Sequence, residues 1–292
     1  MNMKTRRNDS KRISAPRILL GALIFAFSAQ GCAHQGSSPA GEATLEATKT
    51  AEQPAAKPEA PDPAPPPIIE QQALDRLKQM SEKLAAAKAF TCRSRSAVEV
   101  PSKTGQFLTF FAQSQVALER PNKLRAIVTG DVPNFHFYYD GSNISAFDPE
   151  KNVYAVSSAP GTIDEMLPFV MDKAGIHFPT DDLLYSDPYA VMTKGLTHAI
   201  VVGPTTIDGV RCEHFAFRAP GINWEIWIDS GKSGLPKRFA ATYTEVDNFP
   251  RFLVEFSDWN LEPKLGKEEF VFKKLAKAKQ VELAGRLGQK KE

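Results

Sequence analysis

The chain has 292 residues, 42% of them hydrophobic, and its 36 Lys and Arg against 34 Asp and Glu leave a formal charge of +2. That excess sits in the first 31 residues, which hold six basic groups and one acid; without them the charge is −3. A protein of that charge lacks the basic footprint of nucleic-acid binding, so a nucleic-acid partner is excluded.

Lys4, Arg6, Arg7, Lys11, Arg12 and Arg17 precede an apolar run from Ile18 to Phe27, followed by small residues and Cys32. This is the pattern of a secretory signal over residues 1–31, too short to span a bilayer as a stable anchor. Cys32, directly after Ala29-Gln30-Gly31, resembles the lipobox cysteine of bacterial lipoproteins, with Ala29 where leucine is usual. The resemblance implies lipidation at Cys32 and a membrane contact on the periplasmic side, the outer membrane preferred to the inner. The alternative is ordinary secretion with cleavage near Ala33. Thr5-Arg6-Arg7 is not read as a twin-arginine signal, because Asp9 and Ser10 stand where apolar residues belong.

Residues 33–67 hold no aromatic residue, are rich in Ala, Glu and Pro, and end in Pro65-Pro66-Pro67. Such composition cannot bury enough apolar surface to offset chain entropy, which predicts a disordered tether over 32–67. From Ile68 to Leu283 the chain turns apolar and aromatic, long enough for one core, and 284–292 reads as a basic tail. Glu70–Lys88 is the clearest helix: Leu74, Leu77, Met80, Leu84 and Ala87 recur at three- and four-residue spacing, an apolar stripe to lay on a sheet.

Strands are predicted over Phe90–Val100, Phe107–Glu119, Leu124–Thr129, Phe135–Tyr139, Asn143–Phe147 and Val153–Val156. More follow at Ala199–Val202, Cys212–Arg218, Trp224–Asp229, Lys237–Thr244, Phe252–Trp259 and Phe270–Lys273. Asp140-Gly141 reads as a type I′ hairpin turn, residues 148–152 as a longer turn, and Asp208-Gly209 and Ser230-Gly231 as turns between later strands. The interval from Thr162 to Thr193 is helical instead. Thr162 with Glu165 is a capping box, Pro168 should kink or shorten the helix it opens, and Asp187-Pro188 sets an N-cap with proline at N1. The 107–111 and 135–139 strands are apolar on both faces, where an antiparallel sheet normally keeps one face wet. The second face therefore meets helices, another sheet or a ligand cavity, unless it is simply filled core.

Three passages carry a family resemblance. The first is Arg120-Pro121-Asn122-Lys123-Leu124-Arg125 followed by Asp140-Gly141 and Phe147-Asp148-Pro149. The second is Trp227-Ile228-Asp229 with Gly234-Leu235-Pro236-Lys237-Arg238. The third is Ser257 to Lys264, then Phe270-Val271-Phe272. Together they resemble the periplasmic lipoprotein carrier superfamily, half-open β-barrels that ferry acylated lipoproteins or lipids between bacterial membranes. Pro160 to Glu165 and Leu183 to Tyr189 are similar to an uncharacterised branch of predicted periplasmic proteins within it. The resemblance spans roughly Leu74 to Leu283. It implies a mainly β fold with helices (α+β): a strongly curved antiparallel sheet, half-open, plugged by helices, with an amphipathic helix in front. The chain departs from the carriers where Lys273-Lys274-Leu275 replaces their double proline, and in the Cys32 anchor, which moves it toward membrane-tethered receptor or lipid-binding relatives.

Catalytic and metal chemistry find little footing. Cys92 and Cys212 are a candidate disulfide in an oxidising compartment, or two buried thiols. Cys212 and His214 share a strand face without further ligands to complete a metal site, and no Gly-x-Ser-x-Gly elbow or phosphate loop occurs. His136, His177 and His198 are scattered and read as structural; a pocket clustering histidine with carboxylates would revive a hydrolase reading. No cofactor and no enzyme activity is expected. The leading expectation is a tethered envelope protein whose partner is a lipid or acylated protein, held in a cavity lined by Phe107, Phe111, Phe137, Trp224 and Phe256. The alternative is a non-catalytic interaction or sensor module with a filled core, its protein partner unspecified.

Overall fold

The computed structural model describes residues 66–132 and 134–283. The leader, Cys32, most of the tether and the basic tail lie outside them. Thirteen strands form one sheet. In chain order they are β1 (Ile68–Ile69), β2 (Ala89–Pro101), β3 (Phe107–Glu119), β4 (Lys123–Gly130), β5 (Phe135–Tyr139), β6 (Asn143–Asp148) and β7 (Val153–Ser158). Then come β8 (His198–Ile207), β9 (Val210–Ala219), β10 (Ile222–Asp229), β11 (Pro236–Tyr243), β12 (Arg251–Asn260) and β13 (Lys279–Gln280). Their spatial order is β1-β8-β9-β10-β11-β12-β2-β3-β4-β5-β6-β7-β13. The two ends do not pair, so the sheet wraps its helices without closing. All pairings are antiparallel except the two-residue strands at the edges, β1 on β8 and β13 on β7.

Three helices lie on one face: α1 (Gln71–Ala86), α2 (Ile163–Ala174) and α3 (Pro188–Met192). The stripe of α1 does what its spacing predicts. Ala73, Leu77, Met80 and Leu84 are buried with Phe215, Trp224 and Phe239 in a C-terminal core cluster. The α2 face, with Ile163, Met166, Leu167 and Val170, fills an N-terminal cluster with Phe90, Leu124 and Phe137. Pro168 does not end α2, which runs to a left-handed cap at Gly175. The Thr162 hydroxyl accepts from the Glu165 amide and the Asp187 carboxylate from the Ala190 amide, so both predicted caps form. Thr162→Ala is expected to cost about 1 kcal/mol, read as a lower midpoint in urea with unchanged slope.

Asp208-Gly209 is a two-residue turn with positive φ at both positions, as the I′ reading requires. The earlier hairpin differs: Tyr139 pairs with Ile144, so the central residues are Gly141 and Ser142, with positive φ at Gly141 alone. Asp140 stands one place before, its carboxylate accepting the Ser142 and Asn143 amides. The strand predicted over Phe270–Lys273 is not one. A 3-10 turn over Lys267–Phe270 seats Phe270 beneath Lys123, and Phe272 packs on Tyr138, Phe147 and Tyr154. The C-terminal segment is thus a strap across the outer face of the N-terminal strands. Among the described residues no helix is long and apolar enough to cross a membrane.

Candidate functional site

Following the register across the sheet separates its faces. On the helix side, Phe256, Val254 and Phe252 of β12 stand opposite Ser94, Ser96 and Val98 of β2. These in turn face Ser114, Ala112 and Phe110 of β3. Val128 of β4 and Phe135 of β5 continue the row beyond Ser114. The β12 residues belong to the C-terminal cluster and Phe135 to the N-terminal one, while Ser94, Ser96, Ala112 and Ser114 between them are only half-buried. Two adjacent strands with small side chains, flanked by large buried ones, make a trough between the two cores.

One end of the trough is closed by Trp259. Asp258, at φ +54, sits in a bulge where the β12–β2 register shifts between Ser257 and Asn260. The extra residue re-aims the strand. The Trp259 ring then packs 5.6 Å from both Phe90 and Phe256, and its indole nitrogen donates to the Pro236 carbonyl at 2.9 Å. The other end runs out along Val98, Val100, Phe110 and Leu108. From Cys92 to Val100 the floor extends on the order of 25 Å at about 3.3 Å per residue. That exceeds the roughly 15 Å that one acyl layer of a bilayer spans.

Residues 176–185 cross above the trough. Leu183 is buried in the C-terminal cluster and its neighbour Leu184 in the N-terminal one, so this segment straddles the gap. Phe178 meets Phe137 edge-on at 5.1 Å. The crossing carries two adjacent acids on a 3-10 turn, Asp181 and Asp182. Burial pushes Asp181 up to about 7 and, helped by the charge of Asp181, Asp182 up to about 6. Both nevertheless keep part of their surface accessible. Burial lowers His177, partly offset by Asp182, and burial with the two acids pushes Tyr243 and Tyr185 up to about 12. Among the described residues His177 holds no hydrogen bond with a serine hydroxyl or either carboxylate, the contact acyl-transfer chemistry relies on.

The crossing is pinned at one end. Arg120, its guanidinium lowered by burial, donates to the Leu184 carbonyl at 3.0 Å and the Leu84 carbonyl at 3.4 Å. It thereby ties the last turn of α1 to the roof. Asp164 of α2 accepts the Ser186 amide at 2.9 Å. Arg120→Ala removes two charge-assisted bonds and is expected to cost about 3 kcal/mol, with faster amide exchange over 181–186. A separate pocket of about 450 Å³, lined by residues 85–89, Glu119 and Arg120, opens behind the end of α1. Its lining combines four alanines with Lys88, Glu119 and Arg120.

The five residues expected to line a cavity separate. Phe137, Trp224 and Phe256 face the helices, Phe256 on the trough wall and the other two within the packed clusters. Phe107 and Phe111 do not line it. Phe111 pairs with Ala97, whose other neighbour is Leu253, and Phe107 with Pro101, all on the opposite face. The candidate disulfide is also corrected: Cys92 and Cys212 are free, buried thiols. Three strands separate β2 from β9, about 19 Å along the sheet, where a bridge needs Cα atoms within about 7 Å. Burial raises the Cys92 thiol to about 12, so it is an unreactive packing residue. His214 is engaged on the outer face, stacked on Trp227 and bonded to Glu225 at 2.9 Å. No group of three or more metal-ligating side chains forms among the described residues. Sequence reasoning missed the serine floor, Trp259 as a stopper and the Asp181–Asp182 pair. The floor had a signal in Cys92-Arg93-Ser94-Arg95-Ser96, where small and basic residues alternate with the period of a strand.

Residues 73–284 match the family described as "Predicted periplasmic protein (DUF2092)". No curated protein matches the chain. Among solved structures, the lipoprotein LppX of Mycobacterium tuberculosis is similar, 16% identical, with a TM-score of 0.43 over 67% of this chain and 98% of its own. LprF from Mycobacterium bovis is 12% identical, with a TM-score of 0.36 over 69% and 98%. A LolA superfamily protein from Nitrosomonas europaea is 9% identical, with a TM-score of 0.31 over 69% and 97%.

Proposed function

The chain belongs to that family of predicted periplasmic proteins, and from this premise we propose that it binds an amphiphilic, acyl-bearing ligand in the trough between its two cores. One observation supports this above the others. The two longest strands carry a half-buried, small-residue floor between the buried Phe252, Val254 and Phe256 on one side and the half-buried Val128 backed by buried Phe135 on the other. A chain wholly committed to its own core would fill such a gap with large side chains. Apolar walls from Phe252, Val254, Val128 and Phe135 drive binding by area, while Asp181, Asp182 and the floor serines orient a polar group. Binding involves no covalent step. Cys32, if lipidated, holds the domain at a membrane on the periplasmic side.

The test is native mass spectrometry of the chain recovered from the periplasm of an expressing bacterium. An acyl-lipid adduct is expected on the parent and absent from Ser114→Phe, whose ring occupies the floor. The variant should keep its unfolding midpoint, since an open trough accepts the ring without overpacking. A bare mass that gains nothing on adding lipid, with Ser114→Phe destabilised by about 1–3 kcal/mol, would mean a filled core. The interaction-module reading would then stand.

A further inference from the structure

The hairpin of β2 and β3 outgrows the sheet. Pairing with β12 stops at Val98, and pairing with β4 stops where Gly130 meets Ala112. Gly130 makes that ending possible: at φ +142, a Cβ there would lie 2.4 Å from the Phe111 carbonyl oxygen. Beyond this point residues 99–101 and 107–110 form a two-stranded ribbon with no further strand beside it; the Glu99 carboxylate, at its base, accepts the Arg251 amide at 2.8 Å. Such ribbons are marginal in water by themselves. At its tip this one carries apolar side chains on both sides. Val100, Leu108 and Phe110 lie on one face, and Pro101 and Phe107 on the other, where the Glu99–Thr109 pair intervenes before Phe111. Phe111 is 60% exposed and Leu108 43%. Lys103 is the one charged residue between Val100 and Phe111.

The neighbouring turn repeats the pattern. Phe249, between β11 and β12 at the same end of the sheet, is 58% exposed although held at φ +53, where a bulky side chain is disfavoured. The chain also joins the domain at this end. Ile68 pairs with His198, the first residue of β8, and His198 with Arg218, near the β9–β10 turn. Ile68 and the ribbon tip therefore lie at the same end of the sheet, with five strands between β1 and β2.

We propose that this end of the sheet, the β2–β3 ribbon tip with the Phe249 turn, docks in the interfacial layer of a lipid bilayer. A protein partner covers one face of a strand pair, whereas a tip with apolar side chains on both faces, Val100 and Leu108 on one and Pro101 and Phe107 on the other, suits a medium that surrounds it. Aromatic and aliphatic side chains seat in the headgroup–acyl boundary, and Lys103 meets anionic headgroups. The trough opens along Leu108 and Phe110, so docking sets its mouth against the membrane. The proposal goes beyond ligand binding in the trough and is read separately from it.

The experiment is flotation with vesicles of phosphatidylethanolamine and phosphatidylglycerol, using periplasm-derived chain carrying Cys32→Ser so that no anchor contributes. The parent should float. Phe111→Asp and Leu108→Asp should each weaken vesicle binding by about tenfold or more at unchanged unfolding midpoint. Val202→Asp, an equally exposed apolar site in mid-strand on β8, should float like the parent. A parent that stays unbound, variants that float normally, or an equal loss in Val202→Asp would each overturn the proposal. So would self-association of the parent that Phe111→Asp abolishes in the absence of vesicle binding. Acyl adducts in the mass spectrum report on the trough alone, so failure of one reading leaves the other distinguishable.

Discussion

Replacing Phe137 with aspartate is expected to abolish cooperative unfolding of the domain, while Phe111→Asp leaves its unfolding curve unchanged. The two residues lie on strands that both read as apolar on each face, yet their surroundings are opposite. Phe137 has no exposed surface and touches Phe135 and Phe178 within the N-terminal cluster. Deleting such a ring costs about 3–5 kcal/mol, and an unpaired carboxylate in its place adds a desolvation penalty of several more. The sum is comparable with the whole stability of a domain, about 5–15 kcal/mol. Phe111 is 60% exposed on the opposite face, so a carboxylate there stays hydrated. Circular dichroism melts of the two variants check this directly. Equal destabilisation by both would mean that Phe111 is covered in solution and that the face assignment of β3 is wrong.

That pair also shows where the sequence was legible. Turn chemistry and period placed the strands well: Phe107–Glu119 and Phe135–Tyr139 match their predicted limits, and Asp208-Gly209 turns as its residues require. Parity is a different matter. In a strand with apolar residues at both even and odd positions, alternation carries no information about which side faces inward, so nothing in the pattern of β3 distinguishes Phe107 and Phe111 from inward-facing residues. The disulfide failed for a topological reason. The β2 strand pairs with β12 rather than with anything near β9, and strand order is not encoded in local pattern. Phe270 and Phe272 have strand-forming side chains, but the strap buries them against Lys123 and Tyr154 instead of in a ladder. Tertiary packing overrode propensity there. Asp181 and Asp182 looked like any exposed acidic pair. Only the assignment of Leu183 to one core and Leu184 to the other lifts them over the trough.

The second large effect concerns those acids and has a definite sign. Their folded-state values, about 7 and about 6, lie above the ordinary carboxylate value of roughly 3.9. From about pH 4 to pH 7 the folded protein therefore holds protons that the unfolded chain has released. Stability falls as pH rises through that window and stays low above it. Asp181→Asn removes the charge while keeping a polar group of the same shape. At pH 8 it is expected to stabilise the domain by a few kcal/mol, a rise in Tm of about 5–10 °C for a fold of this size. At pH 4.5, where the native acid is already protonated, parent and variant should melt together. Calorimetry at the two pH values decides it, and a parent whose Tm is flat between them would mean the pair is solvated. The sign also bears on function. Two recessed acids that weaken the fold at neutral pH contribute nothing to packing. With Asp181 raised to about 7 and Asp182 to about 6, near neutrality a protonated carboxyl can donate beside a carboxylate that accepts, which suits the hydroxyl and ester oxygens of an amphiphile. An acyl adduct gained at pH 6 and lost at pH 8 in the parent, but retained at both in Asp181→Asn, would assign them that role.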